Sequence, residues 1–335
     1  MRLVITAASP EETRIHLDFL DGWRGLAILT VLVAHFWSDQ WRPVGALGVE
    51  LFFVLSGRLM ATILFVNEAP LGRFLFRRFA RIYPVLLVYS IVVFFLFRGS
   101  WFSGDLLSLL ASIDLINNYV QDWHPTGIYV HIWSLSVEEH SYLLLAMIAL
   151  LVRHFRLRPL VPIALLTALA MANGFYRGEI LRENYFAVYW HTDVRFSSIG
   201  MGAVAYLVVP ALRLEKWSKP LISGAFLVLL GAGLYLGSDH NLHGLEFTVG
   251  TACLAFAIAC IDYVPLARTI FSFKPLVYIG ILSYSLYIWQ QPFTFFEHMP
   301  RIFNFAGVFA ISLTSFYFLE RPMRRFLVAS FEKRH

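Results

Sequence analysis

Apolar residues in this chain are arranged in blocks, without the alternation of a strand or the single apolar stripe of a surface helix. Runs rich in Leu, Val, Phe and Ala lie near 23–41, 44–66, 82–97, 128–152, 159–176, 190–210, 219–236, 245–261, 276–297 and 303–319. Most approach the ~20 residues that a helix needs to cross ~30 Å of hydrocarbon at ~1.5 Å per residue. The pattern predicts an all-α, polytopic integral membrane protein, one domain over residues 1–335 with about ten transmembrane helices. The stretch 101–119 breaks the rhythm. Its apolar core, Leu106 to Leu110, is short and is flanked by Asp105 and Asp114, which predicts an interfacial or re-entrant segment. Met1 to Leu17 has no apolar core of the length a secretory signal needs, so no cleavage is expected there.

Composition strengthens this reading. Hydrophobic residues make up 58% of the 335 and charged residues only 15%, whereas soluble domains are nearer a quarter charged. The 27 lysines and arginines are placed unevenly. With a cytoplasmic amino terminus, 19 fall in alternate inner segments and five (Arg42, Arg98, Arg177, Arg182 and Arg301) in outer loops. Arg24, Arg58 and Arg195 lie within or at the edges of spans. Short cytoplasmic loops retain positive charge, so both termini are expected in the cytoplasm. The net charge of +5 is then a topology signal and gives no reason to expect a nucleic-acid partner. Cys253 and Cys260, seven apart in one apolar span, offer neither disulfide nor metal spacing, and no metal site is expected.

Ionisable side chains at membrane depth cost at least ~2.5 kcal/mol each on insertion scales, so their presence asks for a reason. His35 follows Arg24 by eleven residues, roughly 16 Å of helix, which puts Arg24 near the inner face and His35 in the outer half. The second span enters from outside with Glu50, and the fourth with His131, Glu138 and Glu139. These residues are expected at similar depth. His35 could equally hydrogen-bond a neighbouring helix. Glu50 and His131, near span ends, also read as solvated rim residues. Glu138 and Glu139 project about 100° apart, so one is expected to face the interior and the other an interhelical partner.

Arg73, Arg77, Arg78 and Arg81 follow i, i+4, i+5, i+8 spacing and fall largely on one helix face. Such an array serves as an anchor to anionic lipid or, more narrowly, suits a phosphate-bearing ligand arriving from the cytoplasm.

Six segments in series resemble the membrane acyltransferase 3 family. They are Leu20-Asp21-Gly22-Trp23-Arg24-Gly25-Leu26-Ala27 followed by His35, Gly48 to Gly57, Arg77-Arg78-Phe79-Ala80-Arg81-Ile82-Tyr83-Pro84, Trp133 to Glu139, Ser283-Tyr284-Ser285-Leu286-Tyr287 and Leu319-Glu320-Arg321-Pro322. Together they cover residues 17 to about 326. The resemblance implies a bacterial inner-membrane acyltransferase, in its form without a carboxy-terminal hydrolase-like domain. Such an enzyme moves an acyl group, usually acetyl from acetyl-CoA, to a hydroxyl of a surface or secreted glycan. It also implies that Arg24 with His35, an Arg-x10-His pair, and the Arg77/Arg78 motif are functional. No bound cofactor is implied. The partners are a cytoplasmic acyl-CoA donor, a glycan or lipid-linked saccharide acceptor, and membrane lipid. Some relatives carry His after the Ser-Tyr-Ser-Leu-Tyr motif, where this chain has Gln290-Gln291-Pro292, and no chemistry is assigned there.

On this basis the inner arginines (Arg24, Arg77, Arg78, Arg81) are expected to bind the donor. His35 is expected to act as general base, its ordinary pKa of about 6.5 suiting that role. Glu138 is expected to orient the imidazole or hold the acceptor, with Glu50, His131 and Glu139 as acceptor or support residues. Ser56, Ser134 and Ser136 lack any spacing that marks a nucleophile with its base. The rival class is a transporter or flippase of a lipid-linked saccharide, for which intramembrane His, Glu and Arg would serve a proton relay. Outer aromatics Trp101, Trp123, Tyr185 and Trp190 fit interface anchoring or sugar stacking.

Overall fold

The computed structural model describes residues 10–37, 42–122, 124, 126–238, 243–296 and 299–333. Trp123 and both extreme termini, including His335, lie outside the described residues. Among the described residues the chain is helical with no strand. Nine helices among the described residues are long and apolar enough to cross a membrane: α1 (Asp18–Phe36), α2 (Val44–Val66), α3 (Leu71–Leu96), α4 (Gly127–Phe155), α5 (Leu160–Ile180), α6 (Thr192–Leu212), α7 (Lys219–Gly237), α8 (Glu246–Tyr263) and, after a break, α10 (Arg301–Glu332). The protein is an all-α polytopic membrane protein.

The remaining run, expected near 276–297, forms three short helices, Lys274–Ile281, Ser283–Trp289 and Gln291–Thr294, taken together as α9. α9 still runs beside α1 over much of its length. At its start Gly280 lies against the backbone of Asp21 and Gly25, and at its far end Gln290 meets His35. Pro292 accounts for part of the interruption, because it has no N–H to give the Ile288 carbonyl four residues back. The segment after Trp101 forms two short helices, Leu106–Ile113 and Asn117–Val120, neither of crossing length. Asp105 caps the first by accepting from Ser108 N at 2.9 Å, and that backbone N–H holds its carboxyl below the usual carboxylate range.

Lipid-facing positions need no partners, so helix packing in the bilayer depends on small residues that let backbones approach. A Cβ at Gly280 would run into the Asp21 carbonyl, and one at Gly25 into the Leu276 carbonyl, which fixes α1 against α9. In the same way Gly57 sits on Ile199 and Gly202 on Val54, which joins α2 to α6. Gly45 faces Ala34, and Gly48 faces Ala27 and Thr30, so α1 and α2 are antiparallel neighbours. Asp21, Arg24, Arg81, Gly280 and the Glu320–Arg325 segment gather at one end of the bundle. His35, Gln290 and His131 gather towards the other.

Candidate active site

At the arginine end, a cleft of about 580 Å³ is lined by Arg24, Arg81, Arg321, Arg324 and Arg325 with Asp21 and Glu320. Arg24 and Arg81 also line a second, smaller cavity of about 70 Å³, which extends between α1, α2, α3, α4 and α9. The two spaces are therefore neighbours that share these two arginines in their walls. Arg24 pairs with Asp21 at 2.9 Å, one turn away on the same helix.

In the second cavity Tyr142 donates to Ser56 Oγ at 2.9 Å, and Ser56 donates to Glu138 Oε1 at 2.7 Å. The Arg78 guanidinium lies over the Tyr142 ring, 4.2 Å from its centroid. Tyr284 donates to the Ile82 carbonyl at 2.6 Å, tying α9 to α3. Further out, Tyr287 donates to the His131 carbonyl at 2.7 Å and meets Ser134 Oγ at 2.6 Å. The cavity lining reaches Ser134 and Tyr287, one turn short of His131.

Two histidines lie beyond that limit. His131 Nε2 donates to the Ile288 carbonyl at 3.1 Å, the carbonyl that Pro292 leaves without its helical donor. His35 Nδ1 meets Gln290 Oε1 at 3.0 Å, and Gln290 is fully buried. With Nδ1 as donor to that amide oxygen, the lone pair of the neutral ring sits on Nε2, where a base needs it.

The structure divides the expected site residues into groups. His35 and His131 share the outer level and are close enough to interact electrostatically. Glu138 does not share that level: it follows His131 by seven residues of helix, about 10 Å, and belongs with Ser56, Tyr142 and Arg78. Glu139 is absent from the lining of both cavities; its Oε1 is buried without a hydrogen-bond partner, in the field of Arg78 and Arg81. Glu50 is no solvated rim residue. It is 5% exposed and pairs with Arg195, and it accepts from Ser198 at 3.0 Å and Thr251 at 2.6 Å. Three rings, from Phe53, Tyr189 and Phe247, surround the Arg195 guanidinium. His131 is likewise 4% exposed and not at a solvated rim.

The arginine row divides too. Arg78 and Arg81 line the inner cavity. Arg77, about 100° around the helix from Arg78, instead pairs with Glu332 at 2.5 Å on an exposed face. Arg73 is exposed and lines neither cavity. Sequence reasoning missed Gln290, Tyr142, Ser56 as a partner of Glu138, and the basic end of α10. A proline four residues after Ile288 was the one available signal that a carbonyl at that depth sought another donor.

The chain matches the family model described as "Acyltransferase domain" over residues 17–319. It is 27% identical to the O-acetyltransferase OatA of Staphylococcus aureus over 92% of this chain and 57% of that protein. It is also 27% identical to the peptidoglycan O-acetyltransferase OatA of Listeria monocytogenes, over 93% of this chain and 56% of that protein. The chain thus spans under three fifths of the length of these relatives. No solved structure matches it.

Proposed function

The chain belongs to the acyltransferase domain family, and from that premise we propose that it transfers an acetyl group from acetyl-CoA to a hydroxyl of a glycan outside the cytoplasmic membrane. The observation that carries this reading is the pair of neighbouring cavities that share Arg24 and Arg81, one an arginine-lined mouth and the other reaching Ser134 and Tyr287 on the side of His35 and Gln290. The basic mouth suits the phosphates of the donor, and the narrower inner cavity suits its thin acyl-bearing arm. The names of the relatives, one a peptidoglycan O-acetyltransferase, support a carbohydrate acceptor. The excess of Lys and Arg on the side of the arginine mouth supports a cytoplasmic location for that end and for both termini.

In the reaction, His35 Nε2 removes the acceptor hydroxyl proton as the oxygen attacks the thioester carbonyl. The carbon–sulfur bond then breaks, and the departing thiolate takes that proton from the imidazolium. The products are the O-acetylated glycan and free CoA. Gln290 holds the other ring nitrogen throughout. Arg78 and Glu138 line the arm of the donor, with Ser56 and Tyr142 fixing the carboxylate.

Purified protein in lipid nanodiscs, given acetyl-CoA and glycan fragments, should release CoA thiol in step with acetyl gain by the fragments, read by mass spectrometry. A protein that moves lipid-linked saccharide while leaving the thioester intact would overturn the reading.

A further inference from the structure

We propose that the carboxy-terminal end of α10 forms the phosphate-binding half of the donor site, with Arg321, Arg324 and Arg325 joining Arg24 and Arg81 around the phosphates of CoA. The inference rests on the acyl-CoA reading above and assigns a role to residues that the motif arginines alone did not suggest.

The charge of the cleft is unbalanced. Five arginines face two carboxylates, which leaves three positive charges in excess. Asp21 is already held by Arg24 at 2.9 Å, and Glu320 accepts from Ser285 at 2.6 Å. Among the described residues, Arg81, Arg321, Arg324 and Arg325 make neither an ion pair nor a side-chain hydrogen bond. Converging guanidinium groups repel one another, and a bound polyanion relieves that repulsion with charge-assisted, bidentate hydrogen bonds. A diphosphate and a phosphate monoester on one ligand supply those acceptors. The cleft shares Arg24 and Arg81 with the inner cavity, so a ligand held there by its phosphates lies next to the space lined by Glu138 and Ser134.

Arg77 then has a different task from Arg78. Its ion pair with Glu332 and the stacking of Phe76 on Phe331, with centroids 4.2 Å apart, fasten the end of α10 to α3. That contact brings the arginines of α10 to the same mouth as Arg81.

Phospholipid headgroups offer the same phosphate chemistry to exposed arginines at a membrane surface, so the test separates the two sources. Binding of CoA, dephospho-CoA and pantetheine would be measured on the full chain in phosphatidylcholine nanodiscs, and phosphatidylglycerol retained by each purified variant would be counted by mass spectrometry. The variants are Arg324→Gln/Arg325→Gln, the charge-retaining Arg324→Lys/Arg325→Lys, and a control pair, Arg73→Gln/Arg158→Gln, which lines neither cavity. The glutamine pair should weaken CoA by about tenfold or more, dephospho-CoA by less, and pantetheine not at all. The lysine pair should recover part of the loss, and the control pair should bind as wild type. Unchanged CoA affinity in the glutamine pair, with reduced retention of phosphatidylglycerol, would overturn the inference in favour of a lipid anchor. Wild type that binds no CoA would overturn the acyl-CoA reading with it, whereas wild type that binds CoA beside an indifferent glutamine pair overturns the inference alone.

Discussion

The Nδ1 atom of His35 meets the side-chain oxygen of Gln290 at 3.0 Å, which joins the outer end of α1 to the last break in α9. That bond favours the tautomer whose Nε2 carries the lone pair, the form able to accept a proton. His35→Ala should insert normally, because it adds no charge, and should lose ~10²- to 10⁴-fold in turnover, the usual worth of a general base. Turnover at matched protein levels with acetyl-CoA and acceptor is the measurement; retention of more than about a tenth of wild-type activity excludes His35 as the base.

Gln290 acts through His35 and should leave a distinct mark. Gln290→Leu removes one hydrogen bond and should lower kcat about five- to tenfold with little change in donor KM. Gln290→Glu puts a carboxylate beside the ring and favours the imidazolium. The base must be neutral to work, so the acid limb of the pH–rate profile should move to higher pH. An unmoved limb would mean that the bond holds the helices together and does not tune the base.

Glu50 and Arg195 illustrate what the sequence could not tell. They are 145 residues apart, and their pairing in the bundle rests on the contact of α2 with α6 made through Gly57 and Gly202. Glu50→Ala leaves Arg195 buried and unpaired, at a cost of about 3–5 kcal/mol. Melting in detergent should therefore fall sharply, while donor affinity in whatever folds stays as it was. The double change Glu50→Leu/Arg195→Met should recover much of the loss, since apolar replacement of a buried pair is often neutral. A Glu50→Ala protein that melts as wild type but binds donor poorly would move Glu50 into the site.

Hydropathy located nine of the crossings as continuous helices, and the motif order identified the family. Other features were misread or lay beyond it. Depth along α4 follows from the rise per residue, yet grouping His131 with Glu138 ignored the seven-residue step from one to the other, about 10 Å of helix. The adjacency of Arg77 and Arg78 concealed different surroundings, one at an exposed ion pair and the other in the cavity wall, since neighbours on a helix face directions 100° apart. Extension of α10 to Glu332 carried three arginines to the mouth of the cleft, whereas the apolar run alone ended near 319. The interruption of α9 was foreshadowed only by Pro275 and Pro292. The proximity of Gln290 to His35 depends on how α9 packs against α1 through Gly25 and Gly280, a tertiary fact with no local signature.

The divided arginine motif gives a contrast within one pair. Arg78→Ala removes a guanidinium that lines the cavity beside Tyr142 and should raise donor KM by about tenfold or more. Arg77→Ala breaks an exposed ion pair with Glu332, worth no more than about 1 kcal/mol, and should change KM by only a few-fold. Glu332→Ala should match Arg77→Ala, and the double variant should be no worse than either. Equal and large effects of Arg77→Ala and Arg78→Ala would show that both reach the donor.

Glu138 presents the sharpest choice between roles. It accepts from Ser56, which in turn accepts from Tyr142, and it lines the cavity about 10 Å inward of the level of His131. In the proposed reaction, a carboxylate at that depth lies beside the arm of the donor, away from the hydroxyl that arrives from outside. Glu138→Gln keeps the shape and removes the charge, and the bond from Ser56 weakens from a charge-assisted to a neutral one. Losing such a contact corresponds to roughly ten- to a hundredfold in kcat/KM, with the acid limb of the pH–rate profile still in place because His35 still sets it. Ser56→Ala, which removes the donor to that carboxylate, should shift the same parameter in the same direction by a smaller factor. The two variants and His35→Ala would be compared over the full pH range at saturating acceptor. If the acid limb vanishes in Glu138→Gln and survives in the residual activity of His35→Ala, the proton goes to Glu138, and the histidine serves only to hold Gln290.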